Sequence, residues 1–422
     1  MSEAVHRSID AVWRIESAKL IAALTRLVRD VGLAEELAQD ALVAALEQWP
    51  QEGIPTNPAA WLMATAKHRA IDRLRRLQMQ QLKHEEIGRE LQELEQAMPD
   101  FDSQIDQQID DDLLRLMFIS CHPVLSTEAR TALTLRLLGG LTTAEIARAF
   151  LVAEPTVAQR IVRAKRTLSE ARVPFEVPRG EELGARLASV LEVIYLVFNE
   201  GYSATAGDDW MRPQLCEEAL RLGRILAGLA PAEPEVHGLV ALMEIQASRM
   251  HARVGAGGEP VLLLEQDRRR WDQLLIRRGL NALLRAQQLG GMMGPYALQA
   301  AIAACHARAH SAEDTDWERI AALYDALSQL APSPVVELNR AVAVAMAFGP
   351  AEGLALADRL LQEPLMAQYH LLPSVRGDFL FKLGRHGEAR AEFERAAALT
   401  RNLREQRLLL ARAAACDEAA PR

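Results

Sequence analysis

The chain is poor in cysteine, in aromatic residues and in long apolar runs. Cys121, Cys216, Cys305 and Cys416 lie far apart with no C-x-x-C spacing. That pattern argues against a disulfide framework or a zinc site and for buried reduced thiols. Aromatics make up 5% of the residues while Ala and Leu dominate, a composition that favours helices over sheets. No apolar run approaches a membrane-spanning length, and the opening MSEAVHRSID is not that of a signal peptide. The expectation is a cytoplasmic protein with no membrane partner. The formal net charge is −9, so nucleic-acid binding has to come from local patches rather than from an overall polycation. G-x-S-x-G, H-E-x-x-H, P-loop and G-x-G-x-x-G motifs are all missing. His306 and His310, beside Cys305, form the densest cluster of metal-binding residue types. A pair four residues apart on an Ala-rich helix is more often surface or core than ligand. No catalytic residue, metal or cofactor is therefore expected.

What is present is helical patterning across 422 residues, of which 50% are hydrophobic and 25% charged. That length calls for two or three domains. The most informative stretch is LTTAEIARAFLVAEPTVAQRIVRAKR, from Leu141 to Arg166. Thr142 and Glu145 are spaced as a capping box. Ile146, Ala149 and Phe150 give the first helix an apolar face. Leu151, Val152 and Ala153 make the turn, and Pro155 suits the first turn of a second helix. Val157, Ile161, Val162 and Leu168 are assigned to its buried side. Thr156, Gln159, Arg160, Arg163, Lys165 and Arg166 are assigned to its outer side. A docking stripe opposite a cationic, polar stripe is what a recognition helix needs, although a solvated basic helix reads the same way in isolation.

Taken in order, residues 1–78 read as a helical module. Val12, Ile15, Leu20, Leu24, Leu27 and Val28 form the apolar stripe of a first helix, which Gly32 is expected to cap. A second helix, from Ala34 to Trp49, pairs an apolar face with an acidic rim of Glu35, Glu36, Asp40 and Glu47. A Pro- and Gly-rich loop spans Pro50 to Pro58. In the next helix Lys67, Arg69, Arg73, Arg75 and Arg76 face Asp72 alone, a one-sidedness that points to phosphate contact. Residues 79–112 change sign: between Glu85 and Asp112 there are eleven acids against Arg89. That segment reads as an acidic, partly helical linker. Residues 113–173 form a second small helical module around the helix–turn–helix. Residues 180–290 are helical with no defensible period. Residues 291–415 carry a repeat, in which 348–361 aligns with 383–396 at an offset of 35 and Gly349 falls over Gly384. A two-helix unit of that period resembles a tetratricopeptide repeat.

The segment NPAAWLMATAKHRAIDRLRR resembles the region 2.3–2.4 helix of bacterial sigma-70 family sigma factors of the extracytoplasmic-function type. Pro58, Trp61, Leu62, Asp72, Arg75 and Arg76 match its pattern. AEELAQDALVAALEQW resembles the preceding region 2.2, and VAQRIVRAKRTL (157–168) the region 4.2 recognition helix. The rest of the chain resembles the subgroup with a fused tetratricopeptide-like C-terminal domain; regions 1.1 and 3 are not found. The resemblance implies an all-α fold and a non-enzymatic role: directing core RNA polymerase to promoter DNA for transcription initiation. It implies that Glu35, Glu36, Leu37, Gln39, Asp40 and Leu42 meet polymerase. Lys67, Arg69, Arg73, Arg75 and Arg76 would contact the proximal promoter element, with Asn57 in the loop that holds an unstacked base. Trp49 has a stacking reading, but a core position at a helix end is preferred. Thr156, Gln159, Arg160 and Arg163 would read the distal element, while Thr143, Lys165 and Arg166 touch phosphate. Glu154 is expected to cap its helix rather than to read cytosine. The C-terminal domain would regulate the factor or recruit a protein partner. The alternative is a tetratricopeptide adaptor without promoter recognition; an enzyme with a site in 180–330 is a third reading.

Overall fold

A computed structural model describes residues 2–81, 105–204, 206–207, 210–255, 259–290 and 294–419. Among these residues there are eighteen α-helices, and the only sheet is a parallel pair of two-residue strands, Ala206–Gly207 with Arg401–Asn402. The all-α expectation is met. The chain divides into two units, residues 1–194 and 195–422, and the division falls inside one helix, α8 (Glu181–Tyr202).

In the first unit α1 (Ser2–Val28) and α2 (Val31–Glu52) form a hairpin. The turn differs from the expectation. Arg29 takes the left-handed φ of 55°, and the Asp30 side chain accepts the Leu33 amide at 2.8 Å to cap α2. Gly32 therefore lies inside α2 rather than ending α1. Asp at the cap supplies the orphan amides with an acceptor, which glycine lacks. Ile15 is 63% exposed, not core; the packed face of α1 runs instead through Ile9, Leu20, Ile21 and Leu24. Helix α2 continues through Pro50 and ends at Gly53, φ +93°, whose amide donates to the Trp49 carbonyl. The expected loop thus shrinks to residues 53–57. Trp49 is buried and meets Trp61 of α3 (Pro58–Gln81) edge-on at 5.4 Å, so its core reading holds.

Residues 82–104, most of the expected acidic linker, lie outside the described residues. The remainder of that linker is helix: α4 runs Ile105–Ser120. Asp112, the last acid of that linker, is fully buried and pairs with Arg115 at 2.6 Å and Arg26 at 3.2 Å. Burial raises its carboxyl pKa even though both guanidiniums oppose that shift. Helices α5 (Thr127–Leu137), α6 (Thr143–Phe150) and α7 (Glu154–Glu170) complete the second module around Leu133, Leu135, Ile146, Val157, Ile161 and Leu168. The N-terminal half of α8 also belongs to this unit. Ser189 donates to the Cys121 carbonyl at 2.6 Å, and Arg186 donates to the Phe118 carbonyl at 3.1 Å.

In the second unit α10 (Pro234–Ala247) is almost wholly buried, packed by α9 (Pro213–Leu229), α11 (Gln273–Gln288) and α12 (Pro295–Arg308). The Glu235 carboxylate accepts the Tyr296 and Ala297 amides at 2.8 and 3.1 Å, satisfying the start of α12. Helices α13 (Trp317–Leu330), α14 (Pro334–Phe348), α15 (Pro350–Arg359), α16 (Leu371–Lys382), α17 (His386–Leu399) and α18 (Leu403–Ala419) then pack each against the next. Gly349 and Gly384, φ +111° and +75°, sit at the paired turns before α15 and α17. Left-handed backbone favours glycine there, which is why the two stand in register in the sequence. Helix α12 ends at Arg308, so His306 and His310 do not share a helix face. His306 is buried and His310 exposed. Among the described residues no group of three or more His, Cys, Asp or Glu is placed to hold a metal ion.

Candidate nucleic-acid and polymerase interfaces

The helix–turn–helix is built as its residues require. The Thr142 side chain accepts the Glu145 amide at 3.1 Å, and the Glu145 carboxylate accepts the Thr142 amide at 2.8 Å. These reciprocal bonds hold the carboxyl of Glu145 below the usual range even though burial opposes them most strongly. Leu151 makes the turn with a left-handed φ of 50°. Helix α7 then starts behind Ala153, with Pro155 in its first turn and no side-chain cap. Glu154 is in that first turn but makes no capping hydrogen bond, so the expected cap is not formed; it still favours the helix dipole.

Val157, Ile161, Ala164 and Leu168 form the buried stripe of α7. Val162, which the sequence pattern places in that stripe, is instead 64% exposed. Its position, one residue past Ile161, turns it about 100° onto the outer face. Thr156, Gln159, Val162, Arg163 and Arg166 thus form one exposed surface at helical spacing, with Arg160 half-buried beside it and Thr143 half-buried on α6. Arg166 also bonds Glu170 at 2.6 Å. An apolar Val among polar and cationic neighbours is suited to a thymine methyl.

Lys165 is placed differently from its neighbours. It turns inward and ion-pairs with Glu35 of α2, which also accepts from Arg136 of α5 at 2.6 Å and from Gln39 at 2.7 Å. Glu35 is only 4% exposed. One carboxylate thereby joins the first module to the second, and in this arrangement neither Glu35 nor Lys165 faces solvent as a docking group. Leu37 is buried as well, and Leu42 half-buried. The face of α2 left open is Glu36, Asp40, Val43 and Glu47, an acidic stripe around one apolar residue. Val43 and Glu47 were outside the expected polymerase set, although their i, i+3 and i+4 spacing from Glu36 and Asp40 places them on the same face.

On α3 the cations divide into two groups. Arg73, Arg75 and Arg76 are exposed. Arg69 donates to the Asp40 backbone carbonyl at 2.7 Å, fastening α3 to α2. Lys67 is half-buried, and desolvation, then Arg26, lowers its pKa. Asn57 caps α3, its side-chain oxygen accepting the Ala60 amide at 3.0 Å. Its carboxamide nitrogen is the part left for other contacts.

The comparisons with known proteins match these modules in order. A sigma-70 region 2 family model matches residues 15–79, and a sigma-70 region 4 model matches 115–168. A family of unknown function matches residues 186–287. An uncharacterized protein of Rhizobium meliloti (strain 1021) is 45% identical over 388 residues, covering 91% of this chain and 90% of the relative. No solved structure matches the chain. With two sigma modules in their proper order on an all-helical scaffold, the chain belongs to the sigma-70 family of sigma factors.

Proposed function

We propose that this sigma factor, whose family acts in promoter-directed transcription initiation with core RNA polymerase, is of the extracytoplasmic-function type and reads two promoter elements with two separate helices. The exposed stripe of α7 carries the reading: Thr156, Gln159, Val162 and Arg163 lie on one face, opposite the buried stripe that docks the helix. Gln and Arg suit adenine and guanine edges in the major groove, with Arg160 at the margin. Thr143 and Arg166 contact phosphate. Arg73, Arg75 and Arg76 of α3 contact the proximal element, and residues 53–57, with Asn57, hold an extruded base. Polymerase meets the Glu36, Asp40, Val43 and Glu47 face of α2. Lys165 and Glu35 become available for the roles implied by the resemblance only if the contact between α2 and α7 opens. The C-terminal helices, resembling tetratricopeptide units in their paired turns, regulate the factor or recruit a protein partner.

Run-off transcription by core polymerase over a promoter library tests this. The chain should select a defined pair of elements at fixed spacing. Selection of none, with polymerase fully active on a control template, contradicts the reading.

A further inference from the structure

In the second unit a group of basic and aromatic side chains gathers around the end of α10. Arg249 and Arg253, on the short turn that follows that helix, are each more than nine-tenths buried, at 9% and 8% exposure. Neither has a carboxylate within ion-pairing distance among the described residues. The buried acids on the same helices are engaged elsewhere: Glu244 with Arg224 at 2.8 Å, and Glu200 with Arg212. Arg249 donates to Gln246 at 2.8 Å. Both guanidiniums instead face rings. Arg253 lies 3.5 Å from the centre of Tyr202 and 5.5 Å from that of Trp210. Arg249 lies 5.8 Å from Tyr202 and 5.8 Å from Trp271.

The cluster has an excess of hydrogen-bond donors. Among the described residues, the Nε of Arg249, the Nε of Arg253, and the indole nitrogens of Trp210 and Trp271 are buried with no acceptor. Buried donors of this kind are rare, and each is costly. A third guanidinium, Arg268, stands 5.0 Å from the Trp271 ring and is held by the carbonyls of His306 and Ala309 and by Thr315. Ring faces offset only part of the cost of burying charge. Burial lowers the pKa of Arg253, and Arg249 adds to that shift. Tyr202 and Trp210, at the rim of the cluster, are each partly exposed.

We propose that Arg249 and Arg253, walled by Tyr202, Trp210 and Trp271, form a binding site for a small oxyanion, the carboxylate or phosphate group of a soluble effector. An oxyanion supplies at once the counter-charge and the acceptors that the described residues do not, and the planar forks of paired arginines suit its geometry. The inference goes beyond the promoter reading and is tested without polymerase or DNA, so either can fail alone.

Isothermal titration of the full chain in a chloride buffer, with inorganic phosphate and separately with succinate, tests it. Saturable one-to-one binding of at least one anion is expected; the tighter of the two names the group recognised. Arg253→Gln should weaken that binding at least tenfold with an unchanged helical circular dichroism spectrum. Should that variant not fold, Arg249→Gln carries the same comparison. The unfolding midpoint of the unaltered chain should rise with the concentration of the bound anion. No saturable heat and no midpoint rise with either anion, or undiminished affinity in the folded variants, overturns the proposal.

Discussion

Two buried side chains illustrate how far a residue's surroundings reset its role. Glu35 sits in an acidic helical rim, yet it is closed over by Arg136, 101 positions further on, and by Lys165. Removing its charge leaves two cations that retain roughly a fifth of their own exposure. Glu35→Gln should therefore lower unfolding free energy by about 1–3 kcal/mol, less than for fully enclosed pairs because those cations regain water. Urea denaturation measures this, and an unchanged midpoint would show the carboxylate to be dispensable. His306 is the second case. Burial, then Arg249 and Arg268, pushes its pKa down to about 3, and Trp317 meets it edge-on at 5.1 Å. The folded protein thus keeps this imidazole neutral where the unfolded chain, near its ordinary 6.5, takes up a proton. Stability is lost as pH falls from about 6.5 towards 3. In His306→Gln that part of the loss should vanish, and thermal melts across this range should show a shallower decline than in the unaltered chain.

At the scale of single elements, the helix–turn–helix invites two changes. Thr142→Ala removes one half of the reciprocal cap and should cost about 1 kcal/mol in urea unfolding. Arg163→Ala, on the open face of α7, should weaken one promoter element by roughly 1–3 kcal/mol and leave the other unaffected, whereas loss of a phosphate-contacting arginine weakens all sequences alike. Binding assays on paired promoter variants separate these outcomes. This element was largely legible in the chain because its cues are local: a capping box, a proline in the first turn and a stripe at helical spacing. Where several faces were compatible with one pattern, legibility ended. Val162 and Ile15 are apolar and correctly spaced, but which turn of the helix meets its neighbour is decided by tertiary packing. The α1–α2 turn was misplaced by a few residues because Gly32 is the usual stop signal, while Arg29 and Asp30 do that work. The inward turn of Glu35 and Lys165 had no local signal, since each meets its partner only across the two modules. The acidic segment was legible as charge, but not as the source of a core aspartate, because one of the two cations paired with Asp112, Arg26, comes from α1.

Across the molecule, the division into two units falls inside α8, between residues 194 and 195. Its first half holds Cys121 and Phe118 through Ser189 and Arg186. A chain ended after Arg172 sheds those bonds, while one ended after Tyr202 keeps them. The shorter chain should melt several degrees lower, at roughly 2–4 °C per kcal/mol lost; equal midpoints would place the boundary before α8. In chain order, two small helical modules, each with a local cationic face, are followed by a larger helical unit that contains the oxyanion cluster. The most direct test of the central claim is run-off transcription by core polymerase from a selected promoter whose two elements are scrambled one at a time. The unaltered chain should lose initiation with either scrambled element. Arg163→Ala, already defective at the distal element, should show little further loss when that element alone is scrambled. Equal sensitivity of Arg163→Ala and the unaltered chain to distal scrambling, or initiation indifferent to both elements, would contradict that claim.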